Sequence, residues 1–458
     1  MKKLNKILIV FGILFLGFSC TTEDLDPTLE QIKDISSIAS VEDLSGLMKG
    51  TLDRFTSSVY YGRDFIITDE IRGDNVFANG NSGRFQTEGT LEYLPSTNDG
   101  IWTQAYAVIA NANIIINADP ATLNGDQSEA VHIQGQAKIL RALAHFDLLR
   151  NYGQQYVTGG GDVGVPIITE FGGDNLAPAR NSTTEVYAAI YSDLEAAFNQ
   201  MDAKYDDTAD RTYPSKYMAK ALESRVALYN KEWSKAQSAA QQVVSSGEYT
   251  VIAKEGFVAS FANDNTANSV FELAYDNVDN LGGNSLGFIY KGDVYGDIEV
   301  LPSTPDIYEA GDVRLDIIMT DAAGDIRNMG KYPELNGWDN VSVIRYEEVL
   351  LNLAEALFEQ GDIAGAITQL NLITSNRGAT EYAGTITKDD ILNERRKELL
   401  FEGFRFFDLA RNGMDIPKIA DEQNIPQTVS AGDYRYALPI PIVEMDANSN
   451  MVQNTGYN

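Results

Sequence analysis

The chain has 458 residues, 66 acidic against 35 basic side chains, and a formal charge of -31 at pH 7. That excess of carboxylates opposes a polyanion and excludes nucleic acid as a partner, while 44% hydrophobic and 10% aromatic residues exclude a disordered chain. A single cysteine excludes an internal disulfide framework and any multi-cysteine zinc or iron-sulfur site.

The first element is a targeting segment. Lys2, Lys3 and Lys6 precede an apolar run from Ile7 to Phe18, and Gly17 and Ser19 supply small residues before Cys20. This is the pattern of a secretory signal over residues 1–19. The run is shorter than the roughly 20 residues that cross a bilayer, so the mature chain is expected not to span a membrane. With the only cysteine at the processing point, Cys20 is expected to carry a lipid, which anchors the chain at a membrane surface. Removal of the three lysines takes the charge from -31 to -34. Residues 20–40, opening on Thr21-Thr22-Glu23-Asp24, read as a short leash.

From Val41 the chain reads as helices separated by loops, with no sustained strand alternation. Helices are expected at Val41 to Ser57, Ile101 to Asn117, Ser128 to Asn151, Thr184 to Met201 and Lys388 to Arg411. Tyr217, Ala221, Ser224 and Leu228 are followed by a turn near Asn230 and then by Trp233, Ala236, Ala240 and Val243, which spells a helical hairpin. A second hairpin runs through Val343, Tyr346, Leu350, Leu353 and Leu357, turns at Gly361-Asp362, and returns through Ile363, Ala366, Leu370 and Ile373. Both hairpins look like degenerate tetratricopeptide units. Three long irregular segments, Gly73 to Gly100, Gly153 to Arg180 and Val278 to Asp339, carry embedded aromatics and are where binding groups are expected.

In order along the chain, Trp102-Thr-Gln-Ala-Tyr106, Arg141-Ala-Leu-Ala-His-Phe146 with Tyr152-Gly153, Ala179-Arg180 with Glu185-Val-Tyr187, Tyr217-Met-Ala-Lys-Ala-Leu222, Ile344-Arg-Tyr-Glu-Glu-Val-Leu-Leu351, Glu394-Arg-Arg-Lys-Glu-Leu399 with Glu402-Gly403-Phe-Arg405, and Leu438-Pro-Ile-Pro441 resemble the SusD/RagB family of outer-membrane nutrient-binding lipoproteins. The resemblance implies a mostly α fold of four tetratricopeptide-like helix pairs with long ligand-binding loops and little β structure. It also implies a single body over residues 41–458, with an N-terminal part of about 41–250 and a C-terminal RagB/SusD part of about 251–458. It implies no catalysis: a glycan ligand is bound at the cell surface and delivered to a SusC-like TonB-dependent barrel, the chain being held to outer-membrane lipid through Cys20. The alternatives are an oligopeptide ligand within the family or, outside it, a secreted glycoside hydrolase.

Several residue clusters imitate chemistry. Glu394, Glu398, Glu402 and Asp408 beside Arg395, Arg396, Arg405 and Arg411 look catalytic, but on one helix the three-residue spacings pair them, so a structural role is expected. Gly283-Asn-Ser285-Leu-Gly287 matches a nucleophile elbow, yet both histidines, His132 and His145, precede it and Phe288 to Gly292 does not read as the helix that must follow. Gly159 to Gly164 fits a dinucleotide fingerprint without the helix that would receive a pyrophosphate. No cofactor is expected; an oxygen-ligated Ca²⁺ is conceivable in an acidic loop but has no pattern to place it.

Trp102 and Trp233 fall at helical positions and are expected in the core. Trp338 lies in Pro333-Glu-Leu-Asn-Gly-Trp338-Asp-Asn, where turn chemistry leaves two readings open, a sugar-stacking platform or a hydrophobe that anchors the loop. The same argument names Phe77 and Phe85 with Asn75, Asn79, Asn81 and Arg84, and Tyr290 and Tyr295 with Asn284 and Asp293. A neutral glycan is favoured over a sulfated one, because the acidic surplus opposes anions.

Overall fold

The computed structural model describes residues 38–97, 99–172 and 177–457. The signal over 1–19, the lipid site at Cys20 and most of the 20–40 leash lie outside the described residues. Ser40–Asn458 forms one compact unit. It is mostly helical, with 48% helix against 6% strand, as the α assignment requires.

Helices of seven residues or more are labelled in chain order: α1 Val41–Thr56, α2 Asp64–Ile71, α3 Gly100–Asn117, α4 Gln127–Tyr152, α5 Thr183–Gln200, α6 Lys216–Tyr229, α7 Trp233–Ser246, α8 Tyr346–Glu359, α9 Ile363–Thr374, α10 Lys388–Glu398 and α11 Arg405–Arg411. Their starts follow local chemistry. Ser40 and Asp43 close a capping box on α1, Ser182 and Glu185 on α5, and Thr387 and Asp390 on α10. Helix α1 then buries Leu44, Met48, Thr51 and Phe55, one stripe of the 3.6-residue period. Burying each large apolar side chain contributes about 1.5–3 kcal/mol.

The helices pack as four pairs, α1 with α3, α4 with α5, α6 with α7, and α8 with α9, and α7 also packs on α8. The expected turns are in place, at Asn230 with Lys231 in a left-handed conformation (φ 57°) and at Gly361 (φ 85°) with Asp362 capping α9 through Gly365 N–H. Helix α4 is covered by α3, α5 and α6, so it shows no single apolar face; from Ile139 to Tyr152 every residue is buried. Trp102 is buried as expected, whereas Trp233 is only half-buried, with the Lys388 ammonium 5.2 Å from its ring centre. Among the described residues no helix is long and apolar enough to cross a membrane.

Short strands knit the long segments together. β1 (Val76–Ala78) pairs antiparallel with β3 (Ile298–Val300), with Phe77 opposite Glu299. β2 (Ser269–Leu273) pairs with β6 (Val341–Arg345), and β4 (Ile318–Thr320) with β5 (Ile326–Asn328). Strand β6 corrects the expectation of a helix through Val343: Val341, Val343 and Ile344 are β-branched and buried, and pairing with β2 outweighs the helical spacing that continues from Tyr346.

A second correction concerns Lys388 to Arg411, which is two helices. The helix breaks between them, with Phe401 at φ 71° and Gly403 at φ 77°. At Gly403 a side chain would meet the Ile66 backbone at 3.2 Å, and its N–H donates to Glu70 Oε2 at 3.0 Å. The charged residues therefore do not all pair along one helix. Glu398 receives Arg377 at 2.9 Å and Arg345 at 3.0 Å, Glu402 is held by Lys331 and by Arg345 at 2.7 Å, and Arg405 reaches Asp74 at 2.6 Å. Only Asp408 to Arg411 keeps its three-residue pairing, and Arg411 also clasps Glu355 with both terminal nitrogens at 2.5 and 2.7 Å. The structural role stands, by a different geometry.

Candidate functional site

Four loop segments meet beside β1 and β3. The turn before α2 brings Arg63 to the 281–285 loop, where its Nη1 donates to Asn284 Oδ1 at 2.6 Å and its Nε to Asp64 at 2.6 Å. The strand β1 leads to Asn79, whose amide donates to Gly296 O at 2.7 Å and Glu299 at 2.7 Å, which fixes the turn that carries Tyr295. Arg84 forms an ion pair with Asp297 at 3.0 Å and lies 4.4 Å from the Tyr295 ring centre. The 333–340 loop closes on the same place: Gly337 (φ 79°) lies so near Ser285 that a side chain would meet its Cβ at 2.7 Å, and Trp338 follows it.

Two aromatic side chains of this face meet solvent, Tyr295 at 51% exposure and Trp338 at 39%. Tyr295 is held edge-on by Phe288 at 5.7 Å and lies over the Gly283 backbone, so its orientation is fixed before any ligand arrives. Next to it is a cavity of about 210 Å³ lined by Arg63, Asp64, Arg84, Phe85, Glu88 and Thr97, with Tyr152 and Leu438 also in its wall. Phe85 is nearly buried and takes a left-handed backbone (φ 61°), strained for an aromatic residue, which directs its ring toward the Arg63 guanidinium at 5.7 Å. Burial holds the Glu88 carboxyl above its ordinary pKa. The site thus combines a half-exposed ring, two guanidinium groups already partnered by carboxylates, and amide and hydroxyl groups able to bond a neutral polar ligand.

The structure brings together Arg84, Phe85, Tyr295 and Asn284, with Asn79 bracing the turn and Asn81 exposed at the tip, its N–H donating to Asn79 Oδ1 at 3.0 Å. Phe77 is half-buried in β1, and Asp293 is exposed in the turn before Tyr295. Two expected residues are placed elsewhere. Tyr290 is fully buried, stacked on Tyr332 at 6.2 Å and against Phe401 at 5.3 Å, so it is a core ring and not a platform. Asn75 is also fully buried; its amide donates to Glu70 at 3.1 Å and its oxygen accepts from Arg396 at 2.6 Å. Arg63, Asp64, Glu88 and Thr97 escaped the sequence reading, although Tyr60-Tyr-Gly-Arg63-Asp64 carries the same mixture of rings, glycine and charge that marked the other loops.

The imitations of chemistry resolve structurally. Leu286–Tyr290 does form a five-residue helix, which corrects the expectation of none, but Ser285 is its N-cap, its hydroxyl accepting from Phe288 N–H at 3.4 Å. Both histidines lie on α4, and burial lowers His132 to about 4 and His145 to about 3, so both are neutral near pH 7. Among the described residues no group of three or more His, Cys, Asp or Glu side chains is placed to hold a metal ion.

Comparison with known proteins defines the class. The SusD family model matches residues 326–457, and a model described as starch-binding associating with outer membrane matches residues 29–228. A SusD superfamily protein of Bacteroides vulgatus has a crystal structure that superposes with a TM-score of 0.84 at 28% identity, covering 92% of this chain and 100% of that one. A SusD-like protein of Formosa agariphila is 24% identical over the full length of both chains. The starch-binding protein SusD of Bacteroides thetaiotaomicron is 32% identical over 130 residues, which are 28% of this chain and 22% of that protein. The chain belongs to the SusD/RagB family.

Proposed function

We propose that the protein binds a neutral oligosaccharide or polysaccharide at the loop face and delivers it, without cleaving it, to a SusC-like TonB-dependent barrel in the outer membrane. The observation that carries this reading is the Tyr295 ring, half in solvent and pinned by Arg84, Phe288 and Gly283, at the edge of a polar cavity. A pre-set aromatic face stacks on the apolar face of a sugar with little loss of conformational entropy. Arg63, Asn284, Asp64 and Thr97 supply donors and acceptors for hydroxyl groups. The starch-binding name of one relative and the description of the model matching residues 29–228 agree with this ligand class and with an outer-membrane address. Lipid attachment at Cys20 would hold the body at the cell surface.

Absence of catalysis is supported by where the carboxylates of the C-terminal motif go. Glu394, Glu398 and Asp408 are buried, the Glu402 side chain is only 6% exposed, and all four are bound by arginine or lysine, which leaves none of them as a general acid for a glycosidic oxygen. The test is affinity electrophoresis through gels cast with neutral polysaccharides, beside gels of sulfated ones and an oligopeptide titration. Retardation by a neutral glycan with no new reducing ends is the expected outcome. Binding of peptides alone, or release of sugars, contradicts it.

A further inference from the structure

The loop-face cavity holds one charge that the protein does not balance. Of the two guanidinium groups in its wall, Arg63 pairs with Asp64 at 2.6 Å and Arg84 with Asp297 at 3.0 Å. Asp64 receives Arg63 on both carboxylate oxygens, at 2.6 and 3.3 Å, and Asp297 is almost fully buried. Glu88 is the carboxylate left over. It lines the same cavity and is half-buried, so it keeps surface open to solvent. Among the described residues no lysine or arginine pairs with it, and its carboxylate meets its own backbone N–H but no donor of another residue. Burial raises its pKa above the ordinary value, its own N–H offsets part of this, and the charge of Asp64 raises it further.

The backbone sets the place of Glu88 in advance. It sits on the five-residue helix Gln86–Thr90, entered through Phe85 at φ 61° and left through Leu91 at φ 59°. Each left-handed residue other than glycine costs about 1–2 kcal/mol, and both side chains are buried, which holds them there. Asn424 ties the helix to β1: its side chain accepts from Ala78 N–H and donates to Ala78 O, both at 2.8 Å, and a side chain on Gly89 would meet its Oδ1 at 2.7 Å. A carboxylate fixed in this way loses little freedom when a ligand arrives.

Its chemistry limits what can arrive. An ionised carboxylate only accepts hydrogen bonds, and bonds to it are roughly twice as strong as bonds between neutral groups. Two adjacent hydroxyls on a sugar ring offer it two donors. A sugar carboxylate or sulfate in the same position would instead set like charges together where water is partly excluded. The cavity of about 210 Å³ is smaller than the roughly 300–1,000 Å³ of pockets that enclose a drug-sized ligand, so it takes one unit of a chain whose neighbours run out toward Tyr295.

Given glycan binding at the loop face, on which this rests, we infer that Glu88 is a specificity-determining residue there: it receives two adjacent hydroxyls of one neutral sugar unit and turns away units that bear a carboxylate or sulfate. The overall charge of -31 also opposes anions, but from a distance that salt screens, whereas Glu88 acts inside the cavity.

The experiment is calorimetry of the intact chain with maltohexaose, cellohexaose and mannohexaose, each beside its counterpart with the primary hydroxyls oxidised to carboxylates. It is run at about 1 M salt, where a screening length of about 3 Å silences the distant charges. Wild type is compared with Glu88→Gln, which keeps the shape and removes the charge, and with Tyr295→Ala. Because burial disfavours the ionised form of Glu88, Glu88→Gln is expected to unfold at the same or a higher temperature at pH 7. At least one neutral hexaose is expected to bind, about 10-fold more weakly in Glu88→Gln, and the wild-type preference for it over its oxidised form is expected to shrink by at least about 10-fold in that variant. If Glu88→Gln leaves both the affinity and the preference unchanged while Tyr295→Ala weakens binding, the role of Glu88 is overturned and the loop-face reading stands. Binding that Tyr295→Ala does not alter, or no binding of any hexaose, overturns both.

Discussion

Two regions of this molecule are dense in charge and aromatic rings, and they do opposite things. Around α8, α10 and α11, Glu347, Glu355, Glu398, Arg314, Arg345, Arg377 and Arg395 are almost completely buried and paired with opposite charges inside the fold, Glu355 with Arg411 and Arg395 with Asp408. At the loop face Arg63 bonds Asp64 and Asn284, Arg84 bonds Ser82 and Asp297, Tyr295 is held by ring contacts, and Arg63, Arg84, Asn284 and Tyr295 all keep surface in solvent. The difference is saturation. A group whose partners are all internal holds the fold, whereas a group fixed on one side and open on the other is free to hold a ligand.

The largest test of that contrast removes Glu398. Three arginines converge on its carboxylate, so Glu398→Gln leaves buried cations under-compensated and is expected to cost about 3–5 kcal/mol of unfolding free energy by denaturant titration. Glycan affinity of the surviving folded fraction is expected to be unchanged. Selective loss of binding with normal stability would erase the distinction between the two regions.

Acid sharpens the comparison next. Burial raises the Glu355 carboxyl, but Arg411 more than offsets this, and its pKa falls from the ordinary 4.5 to about 2. Burial likewise raises Glu398 and Glu402 while the facing arginines and lysine bring both below the usual carboxylate range. A carboxylate with a lowered folded-state pKa contributes stability that is complete above its unfolded pKa and is lost as pH falls toward the folded value. For Glu355 alone that is about 3 kcal/mol, lost between about pH 4.5 and about pH 2. Thermal midpoints across that window are expected to drop steeply, and a Glu355→Gln variant, already less stable at neutral pH, should drop less.

Arg63→Ala is expected to weaken glycan binding about 5-fold, by freeing Asn284, with under about 1 kcal/mol lost in stability, because its pairing with Asp64 is partly exposed. Smallest of all is Tyr290→Phe. The Tyr290 hydroxyl is buried without a partner, so its removal is expected to leave affinity unchanged and stability equal or up to about 1 kcal/mol higher. A fall in affinity would return Tyr290 to the binding surface.

Most of the helical frame was legible because its signals are local. Stripes such as Leu44, Met48 and Phe55, and punctuation at Asn230 and Gly361, need no knowledge of what packs against them. Strand β6 was hidden because its pairing with β2 joins residues some seventy positions apart, and the break after Glu398 depends on a left-handed Phe401 that no residue type announces. At the site, Tyr290 and Tyr295 stood in one loop with the same neighbours. What separates them is the short helix Leu286–Tyr290, which turns the first ring onto Phe401 and Tyr332 and lets the second out beside Arg84. Asn75 and Asn79 part in the same way: one faces Glu70 and Arg396 inside, the other ties β1 to the Tyr295 turn.

The central claim is tested most directly by isothermal titration of a retained neutral glycan into the wild-type chain and into Tyr295→Ala. The ring is half in solvent and carries no core packing, so the variant is expected to unfold at the same temperature and to bind at least about 10-fold more weakly, about 1.4 kcal/mol. Equal affinity in the two proteins would contradict the assignment of the loop face as the place where the ligand is held.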